Sequence, residues 1–176
     1  VVDGERLTWV ARAQGARQGL RYDPDMGSDA RLSCSSSGWA FLSTLSDDAA
    51  LALVAKQGLG LPEQFGPAAP TSLQAVMEAV AQTRERGYSM TTDTYSLGLS
   101  AMSAPVRFAG QPAFGVLTIA GPTVRFTPEK MQALAPELLS IAQQLAASSG
   151  ASPFFSLTAE TGKALPADGR KPIYAL

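Results

Sequence analysis

Two strand-like runs constrain this chain more than any other feature: residues 97–108, LGLSAMSAPVRF, and 113–120, AFGVLTIA, separated only by Ala109, Gly110, Gln111 and Pro112. A turn that short suits an antiparallel hairpin. A third strand-like run, 88–92, comes just before them, and residues 6–13 alternate polar and apolar around Trp9, after a turn at Asp3-Gly4. Helical patterns lie on both sides of the hairpin. Ser35, Ser36 and Ser37 lead into Trp39, Phe41, Leu42 and Leu45, and hydroxyl residues favour helix starts. Ser46 caps a second helix over 47–57, with acidic residues in its first turn and Gly58 at its end. Thr71 with Gln74 forms a capping-box signal ahead of Leu73, Val76, Met77 and Val80, and Gly87 stops that helix. Thr127 and Pro128 open the longest helix, where Pro136 predicts a kink or a locally adapted start.

The rest reads as connection. Residues 14–29 form a loop, with room for one short strand near 20–22, and 58–70 are rich in glycine and proline. The tail after Ala147 is rich in Ser, Gly, Pro and Ala, yet Phe154, Phe155 and Tyr174 imply that parts of it dock. Strands, a helical group, then strands and a closing helix predict an α+β domain on a mainly antiparallel sheet covered by helices.

Composition removes whole classes of function. The 14 basic and 15 acidic residues nearly cancel and form no block, so there is no basic face for phosphate backbone and direct nucleic-acid binding by this segment is not expected. There is no histidine, which removes Ser-His-Asp and Cys-His nucleophile activation. One cysteine makes neither an internal disulfide nor a zinc site, so no metal and no cofactor are expected. Both common nucleotide-binding glycine motifs are missing. No apolar run approaches the roughly 20 residues that span a bilayer, so no membrane partner is expected and a cytoplasmic setting fits. The chain starts at Val1 with no signal-peptide pattern, and reads as a fragment whose N-terminal portion has been removed.

Several residues carry the candidate chemistry. Ser35, Ser36 and Ser37 either cap a helix or present hydroxyls and backbone N–H groups to a carboxylate or phosphate. Cys34 adjoins them, although a lone cysteine is most often a small buried apolar group. Thr91, Thr92 and Asp93 lie between two strands, where turn residues belong in any case. Leu99 and Ala101, like Thr118 and Ala120, alternate on adjacent strands, so each pair shares a sheet face where small side chains leave room for a helix or a ligand.

Three blocks, RLSCSSSGWAFLSTLSDD at 31–48, RGYSMTTDTYSLGLSAMSAPV at 86–106 and LTIAGPTVRFTPEKMQALAPEL at 117–138, resemble the effector-binding domain of IclR-type bacterial transcriptional regulators. The most specific parts are G-x-S/A-x-x-x-A-P-V and S/A-G-P-x-x-R-x-T. The resemblance implies a GAF/profilin-like fold, a curved sheet of about six strands flanked by helices over 1–147, followed by a tail over 148–176. It implies a small organic acid as effector, a homodimer or tetramer, and DNA contact only through an absent N-terminal winged helix-turn-helix domain. Carried over, the effector residues are Cys34, Ser35, Ser36, Ser37, Thr91, Asp93, Leu99, Ala101, Thr118 and Ala120. The chain departs from the pattern in having one carboxylate, Asp93, in the acidic turn, Trp39 at a frequent lysine position, and Ala101 at a frequent cysteine position. These changes imply a less polar pocket and an aromatic or longer apolar acid. Some relatives hold zinc, but no histidine remains here to build that site. Two alternatives stand beside this reading: a structural dimerisation module, and a histidine-free enzyme using Asp93 or Cys34.

Overall fold

The computed structural model describes residues 1–13, 29–59 and 63–149. The strand expected near 20–22 and the docking expected of the tail's aromatic residues lie outside the described residues.

Two short strands, β1 (Val2–Asp3) and β2 (Arg6–Leu7), pair antiparallel around Gly4. The run expected to continue to residue 13 ends at Leu7; beyond it a single bridge, Thr8 to Asp29, forms among the described residues. A strand extends only as far as a partner accepts its ladder. Helix α1 (Ser36–Leu42) follows, buried along its whole length. Helix α2 (Asp47–Gln57) has the expected start and end: Ser46 accepts from the Ala49 N–H, and Gly58 terminates it. Helix α3 (Leu73–Arg86) closes with Gly87 in the left-handed region at φ 80°. Its cap is Ser72, which accepts from the Ala75 N–H at 3.1 Å, not Thr71. Gln74 therefore does not close a capping box; its side chain donates to Glu78 one turn on.

The main sheet has the order β3 (Ser89–Thr92), β4 (Leu99–Val106), β5 (Gly115–Pro122), antiparallel throughout. Helix α4 (Pro128–Ser148), capped by Thr127, then crosses the back of the sheet. Pro136 sits inside α4 without ending it. Both Pro136 and Gln132, whose carbonyl loses its helical partner, are exposed, so water can satisfy that carbonyl. The fold is α+β, with four helices among the described residues. The described residues hold five strands in two ladders, where one sheet of about six was expected; the Val2 N–H donates to the Phe114 carbonyl at 3.0 Å and brings the small ladder against the start of β5. No helix among the described residues is long and apolar enough to cross a membrane.

Strand alternation divides the interior into two cores. Met102, Ala104 and Val106 of β4 face Met131, Ala135, Leu138 and Ala142 of α4. On the other side Phe41 and Leu42 of α1 join Ala50 and Val54 of α2, Val76 and Val80 of α3, and Leu7 and Leu32. Burial of such side chains is the main favourable term, roughly 1.5–3 kcal/mol each when complete. Arg84 of α3 ties the helices together by donating to the carbonyls of Ser43 at 3.1 Å and Leu45 at 3.0 Å and pairing with Asp47 at 3.0 Å. Gly38 explains how α1 fits so deep in this layer. A Cβ there would lie 2.6 Å from the Cα and carbonyl oxygen of Leu32, so any side chain would push the helix off the preceding segment.

Candidate ligand site

Between α1 and the near face of the main sheet lies a cleft with about 350 Å³ of atom-free space, counted out through its mouth. Its wall on one side is the loop and first turn of α1, with Ser35, Ser36 and Ser37. Thr91 of β3, Leu99 and Ala101 of β4, and Thr118 and Ala120 of β5 form the opposite wall. The strand register explains this placement, because Ala101 pairs with Ala120 and Thr91 with Ala101 across the ladder, and a two-residue step keeps Leu99 and Thr118 on that face. Trp9, Ala30 and Tyr95 complete the lining. These three were not among the sequence candidates, since each arrives from a loop whose path depends on tertiary packing.

Two of the ten sequence candidates do not line the cleft. Cys34 has no exposed surface and lies behind it. Burial pushes its thiol up to about 11, against the lesser pull of the Ser33 hydrogen bond and the Arg31 charge. Such a thiol is a poor nucleophile at neutral pH. Asp93 is a turn residue: at φ 57° it accepts from the Gly98 N–H at 2.6 Å through Oδ1. Its carbonyl accepts from the Ala68 N–H at 2.9 Å, and Gly66 approaches so closely that a Cβ would stand 2.0 Å from that carbonyl oxygen. The Gly66 loop thus braces the turn from which Tyr95 reaches the cleft, and Phe65 packs against Tyr95 with ring centres 5.6 Å apart and the rings tilted by 50°.

Trp39 also turns away from the cleft. Its indole N–H donates to the Ser33 carbonyl at 2.9 Å and its ring belongs to the helical core. It therefore does not make the pocket less polar, as its place in the sequence implied. Ala101 does line the cleft, so that part of the expectation concerns a lining residue.

Hydrogen bonds decide what the hydroxyl groups can offer. Ser35 caps α1 by accepting from the Gly38 N–H at 3.0 Å, and gives its own proton to the Arg31 carbonyl at 2.6 Å. Ser37, 3.2 Å from Ser35 Oγ, must then be the donor in that contact, because a hydroxyl has one proton. Thr91 donates to the Ala101 carbonyl at 3.3 Å. Ser36 Oγ lies 2.8 Å from Ser103 Oγ, which lies 2.9 Å from Thr118 Oγ1. Ser103 is fully buried beneath the cleft, and Ser89 of β3 donates to the Ser36 carbonyl at 2.7 Å to hold α1 on the sheet. Ser103 was missed although strand alternation points it to the same face as Leu99 and Ala101, opposite Thr118. With α1 only seven residues long and its first turn capped by its own serine, the three-serine cluster acts largely as a cap; among the serine and threonine side chains of the lining, Ser36 and Thr118 can still serve a ligand.

An α+β sandwich with a hydroxyl-lined cleft between helix and sheet defines a small-molecule-binding domain. The chain belongs to the IclR family of transcriptional regulators: the family model described as "Bacterial transcriptional regulator IclR C-terminal" matches residues 1–147, and this is an effector-binding domain of that family. It is 28% identical over 126 residues to the acetate operon repressor of Salmonella typhimurium, and 27% identical over the same length to the transcriptional repressor IclR of Escherichia coli. Each match covers 72% of this chain and 45% of the relative, so the chain spans less than half the length of these curated relatives. Among solved structures it is similar to the inducer-binding domain of the PobR transcription factor from Acinetobacter, a double mutant in complex with 3-hydroxybenzoic acid. That likeness has a TM-score of 0.69 and 25% identity, and covers 83% of this chain and 84% of the other. An IclR transcriptional regulator from Alicyclobacillus acidocaldarius shares the fold, with a TM-score of 0.71, 20% identity, and coverage of 84% of this chain and 57% of the other.

Proposed function

We propose that this chain senses a small organic monocarboxylate, with an aromatic or extended apolar body, in the cleft between α1 and the sheet. The observation that carries the reading is the lining itself: Ser36 and Thr118 supply hydroxyls, Ala101 and Ala120 leave space, and Trp9, Tyr95 and Leu99 supply apolar surface. No lysine or arginine lines the cleft among the described residues. Neutral donors therefore have to meet the carboxylate, which favours one charge over two. The complex of the PobR domain with an aromatic acid supports the same class.

In this reading residues 1–147 are the sensing unit and 148–176 a tail. The unit works in the cytoplasm as a homodimer or tetramer and acts on DNA through a winged helix-turn-helix domain on the N-terminal side. The acid changes operator affinity only to the extent that it binds one arrangement of the subunits better than another.

Calorimetric titration with a panel of aromatic and aliphatic monocarboxylates tests the site. At least one is expected to bind, and Ala120→Phe, which fills the cleft from a half-buried position, is expected to abolish that binding with an unchanged circular dichroism spectrum. A panel without a binder, or affinity untouched by the substitution, overturns the assignment.

A further inference from the structure

Two walls of the cleft are tied together by a side chain that belongs neither to the lining nor to the cores. Phe65 packs against Tyr95, and the guanidinium carbon of Arg31 lies 5.4 Å from the centre of the same Phe65 ring. Phe65 is half-buried and is absent from the cleft lining and from both apolar clusters. Its two neighbours come from different walls. Tyr95 lines the cleft from the turn between β3 and β4. Arg31 adjoins Ala30 of the lining, and its carbonyl accepts from the N–H and the hydroxyl of Ser35 at 3.1 and 2.6 Å, on the α1 wall.

Both ends of this connection are fixed to the body of the domain. Arg31 Nη1 donates to the Gln57 carbonyl at 2.9 Å, and the Leu32 N–H donates to Gln57 Oε1 at 2.7 Å, so the Arg31 segment is held at the end of α2. The Tyr95 turn is held against its local preference. Asp93 is left-handed at φ 57°, and the next residue, Thr94, only 6% exposed, has no partner for its hydroxyl among the described residues. A left-handed residue other than glycine and an unanswered buried hydroxyl persist where the surroundings over-determine the backbone. Here the surroundings are the loop that carries Phe65: the N–H groups of Gly66 and Ala68 donate to the carbonyls of Thr94 at 3.0 Å and Asp93 at 2.9 Å. The place of the Tyr95 ring is therefore set from outside the cleft.

We propose that Phe65 is a positioning residue that determines specificity: with Arg31 and Tyr95 it forms a strut that fixes the separation of the cleft's walls and so sets the largest acid body the site accepts. The inference rests on the cleft being an acid site. The ring-to-ring and guanidinium-to-ring contacts are each modest, but both act on one ring. Removing that ring releases Arg31 and Tyr95 together and leaves every lining residue in the sequence. Discrimination by size then relaxes, because a wall that can give way admits a longer body at little extra cost.

The test measures affinities by calorimetry on the 176-residue chain with two series of monocarboxylates of growing length: benzoate, 4-methylbenzoate and 4-butylbenzoate, then butyrate, hexanoate and octanoate. In any series that binds, Phe65→Ala is expected to raise the affinity for the longest member relative to the shortest by about fivefold over the unaltered chain. Phe65→Tyr keeps the ring and is expected to hold that ratio within about twofold of its original value. A merely structural role for Phe65 would weaken short and long acids alike and keep the ratio in every variant. Phe65→Leu retains apolar bulk without the ring and gives the second measurement should the alanine variant unfold, with the ratio expected to move the same way. A ratio unchanged in both the alanine and leucine variants overturns the strut and leaves the acid site standing. Failure of all six acids to bind overturns both.

Discussion

Trp39 donates its indole N–H to the carbonyl of Ser33 at 2.9 Å, six residues back, and so locks the segment entering α1 onto the helix it precedes. Trp39→Phe keeps an aromatic ring but removes this buried hydrogen bond. The expected loss is about 0.5–1.5 kcal/mol of stability, read as a lower urea midpoint at unchanged slope. Ligand affinity should hold, because the ring faces the helical core; a large loss of affinity with normal stability would contradict this placement.

Gly38→Ala should cost about 1–3 kcal/mol by thermal or urea unfolding, with the upper end favoured because the atoms in the way are backbone rather than a side chain that can rotate aside. Unchanged stability would mean that α1 and the Leu32 segment are further apart than described.

Cys34 sets a pH-dependent expectation. Its thiol stands at about 11 in the folded chain against 9.0 for an ordinary one. In the window between those values the unfolded chain has released the proton and the folded chain has kept it, so the stability contribution is full below about pH 9 and is lost as pH rises to about 11. At pH 8 the folded thiol should react with iodoacetamide at least about 100-fold more slowly than in denaturant, since two units of pKa set the thiolate fraction. Alkylation at the same rate in both states would place the thiol at the surface.

The two sides of α4 should respond differently. Leu138, 1% exposed, packs against the sheet, and Leu138→Ala is expected to cost about 2–5 kcal/mol. Ile141, at 40% exposure, faces outward in the single chain, and Ile141→Ala is expected to stay within about 0.5 kcal/mol. Urea unfolding of both variants at low protein concentration distinguishes them.

Local signals and long-range ones were legible to different degrees. Helix α2 could be read residue by residue because Ser46 and Gly58 act on their immediate neighbours. Helix α3 was off by one at its cap because two adjacent hydroxyl residues compete and only the chain's path selects Ser72. The strand expected through Trp9 is two residues long, Arg6–Leu7, and among the described residues its continuation toward Asp29 is one bridge at Thr8. In the cleft, Ser35 to Ser37 and the alternating residues of β4 and β5 follow from motif and pleat. Trp9, Ala30 and Tyr95 arrive from elsewhere in the chain, and no local rule places them. Asp93 looked like a ligand for the family's acid and is spent on its own turn, a competition that composition cannot resolve.

The pleat of β4 puts one peptide unit between Ala101, a wall of the cleft, and Met102, which is fully buried against α4. Pocket and rear helix therefore share a partition one chain thick. Whatever wedges against its front must be accommodated by the packing behind, so the longest helix among the described residues is in mechanical earshot of the cleft.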